Sequence, residues 1–424
     1  MTYDEALGYI HGISWTFCKP GLDRIRELCR LLGDPQDGLR FIHVAGTNGK
    51  GSTSAMLDSI LRKAGYKVGL FTSPYIYRFN ERMRVDGKNI PDSTLAEITE
   101  AVKPIADGMT DKPTEFELIT AVALEYFKRE SCDVVVLEAG MGGRLDSTNV
   151  IRDPLISIIT GIALDHTAFL GDTVEKIAAE KAGIIKDGAP VLFGGDDAGA
   201  KRVIKENATR VGSSYYESDR SAINIEAADI DGSTFSYKSW EHLRISLAGL
   251  YQPYNAALVL EAVDLLRGRG LVIPDGAVTE GLAETRWRGR FEVMCREPLV
   301  IFDGAHNPEG VSVSVDSIKR YFRDRRVIVL TGVMSDKDHG YIASRISEVA
   351  CRAYTVTPDN KRALSAEEYA KELCSLGVAA RPTSSIPEAL RLAMADAKET
   401  GTPLVCLGSL YTYVDIMKFL EGEK

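Results

Sequence analysis

From His43 the chain reads His43-Val44-Ala45-Gly46-Thr47-Asn48-Gly49-Lys50-Gly51-Ser52, residue types suited to holding phosphate. Glycines let backbone N–H groups approach anionic oxygens, a helix start adds partial positive charge, and Lys50 supplies a point charge for terminal phosphates. The common P-loop has glycine six residues before the lysine and Ser/Thr directly after it; here those places hold Val44 and Gly51, with Ser52 one step later. The flanks favour a variant loop over a chance glycine cluster. An apolar run (Phe41, Ile42, Val44) precedes it, and Met56, Leu57, Ile60, Leu61 and Ala64 share one helical face after it, with Gly65 as the stop.

Further chemistry gathers where loops follow apolar runs. Val134–Leu137 ends in Glu138 and then Ala139-Gly140-Met141-Gly142-Gly143-Arg144-Leu145-Asp146-Ser147-Thr148-Asn149. A carboxylate at a strand tip beside a phosphate-approaching turn is a natural magnesium ligand; the plainer reading is a surface Glu next to a loop. Leu155–Thr160 leads into Leu164-Asp165-His166, and a histidine at a strand end is a better ligand candidate than an isolated one. From Thr173, Val174, Ile177, Ala178 and Ile185 mark the apolar face of a helix, and Lys181 falls on it. Such a lysine either snorkels to water or, enclosed, loses its proton more easily and becomes reactive. Asn255 shares a helical face with Leu258 and Ala262, which suits an amide bonding a ligand and equally a cap or a core Asn. Ile301-Phe302-Asp303-Gly304-Ala305-His306-Asn307-Pro308 repeats the strand-tip arrangement with an acid and a histidine. Trp287-Arg288-Gly289-Arg290-Phe291 offers two guanidinium groups, for a phosphate or for an inter-domain salt bridge.

These loops need sheets to hold them. Strand and helix patterns alternate, which predicts mostly parallel sheets covered by helices, with ligands at the carboxyl ends of the strands. One series of strands is expected at Lys67–Thr72, Asp133–Glu138, Leu155–Thr160 and Val191–Phe193. A second is expected at Leu299–Phe302, Val327–Thr331, Ala353–Thr357 and Leu404–Leu407. Between Ser221 and Leu250, Ile223/Ile225 and Leu243/Ile245/Leu247 alternate around Asp231-Gly232-Ser233, predicting antiparallel hairpins attached to the first domain. The expected boundary at Arg296-Glu297-Pro298 divides the chain into domains 1–296 and 297–424.

The 424 residues exceed what one core serves, and 45% hydrophobic with 26% charged residues is ordinary for a globular protein. A net charge of −9 weighs against a nucleic-acid partner while leaving room for a small anion in a local basic pocket. No apolar run reaches membrane-spanning length, and Asp4, Glu5 and Trp15 interrupt any signal-peptide core. Seven scattered cysteines without a C-x-x-C pair give neither a disulfide framework nor a zinc site, so a cytoplasmic protein is expected.

In chain order, Gly46–Ser52, Thr72-Ser73-Pro74, Arg78-Phe79-Asn80-Glu81-Arg82, Glu138 with Gly142–Asn149, Asp165-His166, Glu180-Lys181-Ala182-Gly183-Ile184, Trp287 with Arg290, and Asp303–Pro308 resemble the folylpolyglutamate synthase/dihydrofolate synthase family of the Mur-ligase superfamily. The resemblance covers nearly the whole chain. The phosphate loop alone admits any Mur-type ligase; Thr-Ser-Pro and Asp-Gly-Ala-His-Asn-Pro are more specific. The short stretch ahead of the loop leaves no room for the nucleotide-sugar domain of muramyl ligases.

The resemblance implies an α/β fold: a P-loop central domain with a mostly parallel sheet and a small antiparallel addition, then a smaller Rossmann-like, glutamate-binding domain. It implies a monomer that adds L-glutamate to folates, and to 7,8-dihydropteroate, using ATP and an acyl phosphate. By motif, Gly46, Thr47, Asn48, Gly49, Lys50, Gly51 and Ser52 hold the phosphates. Asn255, Arg290 and Asp303 contact ATP, with His306 close by as a catalytic residue. Ser73, Glu138 and His166 ligate Mg²⁺, and a carbamylated Lys181 holds a second ion; K⁺ or another monovalent cation is a further expectation. Leu22, Thr114, Phe116 and Asp146 meet the pteridine. Two other readings remain open: another Mur-type ligase, such as a muramyl amino-acid ligase, and a non-catalytic P-loop nucleotide sensor.

Overall fold

Phe41–Ala45, the apolar run ahead of the glycine loop, is the strand around which the first sheet is built. It lies between Val134–Glu138 and Ile156–Ile159, parallel to both, and all five of its residues are buried. Strands covered on both faces carry unbroken apolar runs rather than alternation, which is why these were legible. In the computed structural model, which describes residues 1–13, 20–323 and 325–422, this sheet has eight strands. Their order is 88–89, 83–85, 68–71, 134–138, 41–45, 156–159, 191–193, 215–217, and the hairpin Met83–Asn89 supplies its antiparallel edge. Each expected strand of the first series is present to within one residue at either end.

The helix Lys50–Lys63 is buried from Ser52 to Leu61, more than a one-sided apolar face requires. The helix Asp275–Glu284 covers its other side: Ser59 Oγ donates to the Gly281 carbonyl at 2.8 Å, and a Cβ on Gly281 would fall 2.6 Å from Ile60 Cα. Helices Asp23–Leu31, Asp92–Gly108 and Glu115–Arg129 bury Leu28, Ile98 and Leu118 in one core with Phe71 and Leu137. Helices Val174–Ala182 and Ala198–Val211 bury Ile177 and Ile204 in another with Ile159 and Phe193. Each such fully buried side chain contributes about 1.5–3 kcal/mol.

The second sheet has six strands, ordered 292–296, 299–303, 404–407, 327–331, 350–355, 379–382. Its first strand is antiparallel and the rest are parallel. A three-stranded antiparallel sheet, Ile223–Asp229, Gly232–Tyr237 and Trp240–Ile245, completes the architecture.

The chain divides into two units, Met1–Ile223 with Tyr254–Thr285, and Asn224–Pro253 with the chain from Arg286 onward. This differs from the expected domains 1–296 and 297–424 in two respects. Glu292–Arg296 is an edge strand of the second sheet, paired with Leu299–Asp303, so the break falls before Arg286. The three-stranded sheet packs with the second unit rather than the first. Ala248 and Ile230 join that unit's core, the Gly249 amide donates to Tyr321 Oη at 2.8 Å, and the Leu250 amide donates to Ser317 Oγ at 3.0 Å. No described helix is long and apolar enough to cross a membrane, and the six described cysteines are free thiols; Cys18 lies outside the described residues.

Candidate active site

The phosphate loop is drawn tight by the exit of the neighbouring strand. Thr160 Oγ1 donates to the Asn48 carbonyl at 2.7 Å, and the Thr47 amide donates to the Gly161 carbonyl at 2.8 Å. Gly46 has φ +151°, and a Cβ there would lie 1.8 Å from Thr160 Oγ1, so the position excludes any side chain. Gly49 (φ +88°) caps the helix Lys50–Lys63, and a Cβ would meet Asn255 Oδ1 at 2.6 Å, which brings Asn255 to the loop. No side chain caps this helix; a bound phosphate takes that role in loops of this kind.

Two lysines converge on one carbonyl. Lys50 Nζ donates to Gly46 O at 3.1 Å and to Thr47 O at 3.3 Å, and Lys181 Nζ donates to Gly46 O at 2.7 Å. Lys181 is 3% exposed, so its head is enclosed rather than snorkelling. Burial, then the nearby Lys50 charge, lower its pKa from 10.5 to about 7, with Asp165 and Asp146 pulling the other way.

The other strand tips carry the candidate ion ligands. Glu138 is buried at the end of its strand. Ser73 Oγ accepts from Arg82 Nη1 at 2.9 Å, and that guanidinium also lies over the rings of Tyr75 and Phe79. His166, half-exposed with φ +50°, starts the short helix Thr167–Leu170, and its amide donates to Asp165 Oδ1 at 2.8 Å.

Leu22, Thr114 and Phe116 are assembled by one buried ion pair. Arg24 Nε lies 3.0 Å from Glu117 Oε2, tying the helix that follows Leu22 to the helix that Thr114 caps. Thr114 and Glu117 form a reciprocal capping box, Thr114 Oγ1 accepting from the Glu117 amide and Glu117 Oε2 from the Thr114 amide. Phe116 leans on Gly140, where a Cβ would lie 2.5 Å from its Cζ. Asp146 is buried: Oδ2 accepts from the Met141 amide at 2.8 Å, and Oδ1 accepts from the Thr148 amide at 3.0 Å and the Thr148 hydroxyl at 2.5 Å. Desolvation raises its pKa, and these hydrogen bonds oppose the shift.

In the second unit Asp303 ends its strand fully buried. Oδ1 accepts from the Ala305 amide at 3.0 Å; Oδ2 accepts from Ser314 Oγ at 2.7 Å and Tyr251 Oη at 3.1 Å. Burial raises its pKa, and the Arg290 charge is the largest opposing influence. Arg290 Nη1 donates to Gly289 O at 3.0 Å and packs so near Gly304 that a Cβ there would lie 2.8 Å away. His306 Nδ1 donates to Gly304 O at 2.9 Å, which assigns the proton to Nδ1 in the neutral ring. Asn307 caps the helix Pro308–Phe322, which has proline in its first turn. Thr160, Tyr251 and Ser314 shape these sites without a motif of their own; the available signal was a hydroxyl at a strand tip for Thr160 and beside a helix start for Tyr251, while Ser314 lies inside the helix Pro308–Phe322 and carried none.

Residues 44–263 match the Mur ligase middle domain, and residues 289–410 match the Mur ligase glutamate ligase domain. The chain is therefore a Mur-type ligase. It is 38% identical to the dihydrofolate synthase/folylpolyglutamate synthase of Bacillus subtilis (strain 168), over 99% of each chain, and 35% identical to the folylpolyglutamate synthase of Lacticaseibacillus casei, over the full length of both. The solved structure of E. coli FolC in complex with DHPP and ADP superposes with a TM-score of 0.88 at 32% identity, covering 100% of this chain and 98% of that one. This protein belongs to the folylpolyglutamate synthase/dihydrofolate synthase family.

Proposed function

We propose that this enzyme uses ATP to join L-glutamate to folates and to 7,8-dihydropteroate. The substrate carboxylate attacks the γ-phosphorus, the bond to the bridging oxygen breaks, and ADP leaves an acyl phosphate. The glutamate amine then attacks the acyl carbon, loses its proton, and expels inorganic phosphate as the amide forms. Both steps gather negative charge, so positioned cations supply much of the catalysis. Gly46 to Ser52 cradle the phosphates, and Lys50 follows the transferring one. By the family's motifs, Asn255, Arg290 and Asp303 contact the nucleotide, and His306 serves the transfer.

The observation that carries this reading is Lys181, enclosed on the Gly46 carbonyl beside Lys50. With its pKa near 7, a large share is neutral amine at physiological pH. That amine attacks CO₂: an N–C bond forms, one proton is released, and a carbamate replaces the ammonium. The carbamate keeps an N–H for Gly46 and gains two oxygens. A nucleotide sensor would have no use for such a residue.

The metal ligands fit one kind of ion. Among the described residues no three His, Cys, Asp or Glu side chains form a ready-made cage. One carboxylate (Glu138), one hydroxyl (Ser73) and one imidazole (His166), and for a second ion the carbamate of Lys181, suit Mg²⁺, which keeps waters and phosphate oxygens in its shell. Bound there, the ion would neutralise charge on the phosphates.

At the other end of the substrate Phe116 and Leu22 offer apolar surface to the pteridine, Thr114 borders it, and Asp146 accepts from its N–H groups. We place the enzyme in the cytoplasm as a monomer, which sedimentation of the purified protein checks. ADP release tests the function. It should require L-glutamate together with dihydropteroate or tetrahydrofolate, and should fail with muramyl precursors; slow hydrolysis indifferent to both additions would favour the sensor.

A further inference from the structure

His43 lies within the strand that delivers the phosphate loop, 0% exposed, and the reaction above gives it nothing to do. Its Nε2 is 2.9 Å from Thr148 Oγ1, and that hydroxyl is 2.5 Å from Asp146 Oδ1. A hydroxyl has one proton to give, and an ionised carboxylate only accepts. The order of protons follows: Thr148 donates to Asp146, and His43 donates Nε2–H to Thr148. Nδ1 is then bare, and it is buried with no hydrogen-bond partner among the described residues. A proton there would be an unsatisfied buried donor on a buried cation. Burial first, then the charge of Lys186, push the imidazole towards its neutral form, with a pKa of about 3.

The arrangement bears on Asp146. Two donors to its carboxylate, the Met141 and Thr148 amides, are fixed by the backbone of its own loop. The Thr148 hydroxyl can rotate, and His43 stops it: with an oxygen lone pair engaged by Nε2–H, the threonine proton stays on Asp146. His43 is anchored by strand pairing, opposite Leu137, rather than by the loop it steadies.

We propose that His43 is a positioning residue for substrate binding, holding the Thr148 proton on Asp146 so that this carboxylate stays aimed as an acceptor for the N–H donors of a pteridine. This rests on the reading that Asp146 meets the pteridine.

Four variants and one measurement on the parent test it. His43→Leu and Thr148→Val remove the two donors, His43→Gln places an amide N–H near the position of Nε2, and Asp146→Asn serves as the control. His43→Leu and Thr148→Val should each raise the KM for dihydropteroate about tenfold, leave the KM for ATP within about twofold, and His43→Gln should recover most of the loss. A merely structural role for this strand would raise the KM for ATP and lower kcat together, because the same strand carries the phosphate loop. If Asp146→Asn raises the dihydropteroate KM but His43→Leu and Thr148→Val do not, the relay is wrong and the reading of Asp146 stands. If Asp146→Asn leaves that KM unchanged, the reading of Asp146 fails and takes the relay with it. Ring ¹⁵N–¹H correlation spectra of the parent enzyme should show His43 protonated at Nε2 alone at neutral pH. A proton on Nδ1 would overturn the proposal whether or not the variants fold.

Discussion

Lys181→Met asks whether the fold holds a lysine against its preference. Methionine keeps an unbranched, adaptable stem and removes the charge. In the folded chain this lysine titrates at about 7 instead of 10.5, a difference of about 3.5 units. At 1.36 kcal/mol per unit, enclosing the protonated form costs on the order of 5 kcal/mol. The variant escapes that cost and loses the hydrogen bond to Gly46, worth about 1 kcal/mol. At pH 6 it should therefore be the more stable protein by roughly 4 kcal/mol.

The pH dependence supplies the sharper test. Below pH 7 the lysine is protonated in folded and unfolded chains alike, and the whole penalty is present. Between pH 7 and 10.5 the folded chain has released its proton while the unfolded chain keeps it, so the parent gains stability as pH rises. By pH 9 the variant's lead should shrink to about 1 kcal/mol. Urea unfolding at pH 6, 7, 8 and 9 in CO₂-free buffer measures this, and added bicarbonate should stabilise the parent alone. Turnover by the variant should be absent, a gain in stability at the expense of function. A variant less stable than the parent at pH 6, or a difference flat from pH 6 to 9, would refute the reasoning and return Lys181 to the water-exposed class.

Lys50→Ala should abolish turnover by removing the point charge at the transferring phosphate, and near-normal kcat would falsify the phosphate-loop assignment. Glu138→Gln should shift the Mg²⁺ requirement to higher concentration and block acyl phosphate formation in a folded protein; a titration that overlays the parent's removes Glu138 from the ion's ligands. Gly140→Ala puts a methyl 2.5 Å from the Phe116 ring, an overpacking of about 1–3 kcal/mol. It should weaken dihydropteroate binding more than ATP binding, and equal effects on the two would argue against Phe116 at the pteridine.

Patterns along the chain disclosed the parts whose causes are local. Val327–Thr331 and Leu404–Leu407 appear where expected because both faces of each strand are covered. The strand expected at Ala353–Thr357 instead spans Ala350–Thr355: its start pairs with the neighbouring strand at Ala350 and Arg352 around an irregularity at Cys351, and because Cys351 and Arg352 are exposed this stretch lacks an apolar signature. Partnerships made across the chain were harder to see. The antiparallel sheet is claimed by Ser317 and Tyr321, 67 and 72 residues beyond the Leu250 and Gly249 amides they bind, and no period in the sheet's own sequence reports that. His43 and Thr148 stand 105 residues apart. Lys181 shows the limit most clearly. Helical spacing turns it inward among Ile177 and Ala178, a local matter, but its partner Gly46 lies 135 residues earlier, which no local spacing reports. A lysine on an apolar face is ambiguous until that partner is known. Once its ammonium is set on the carbonyl that Lys50 also binds, the second positive charge becomes the feature needing a chemical answer, and the proposed conversion to a carbamate would remove it.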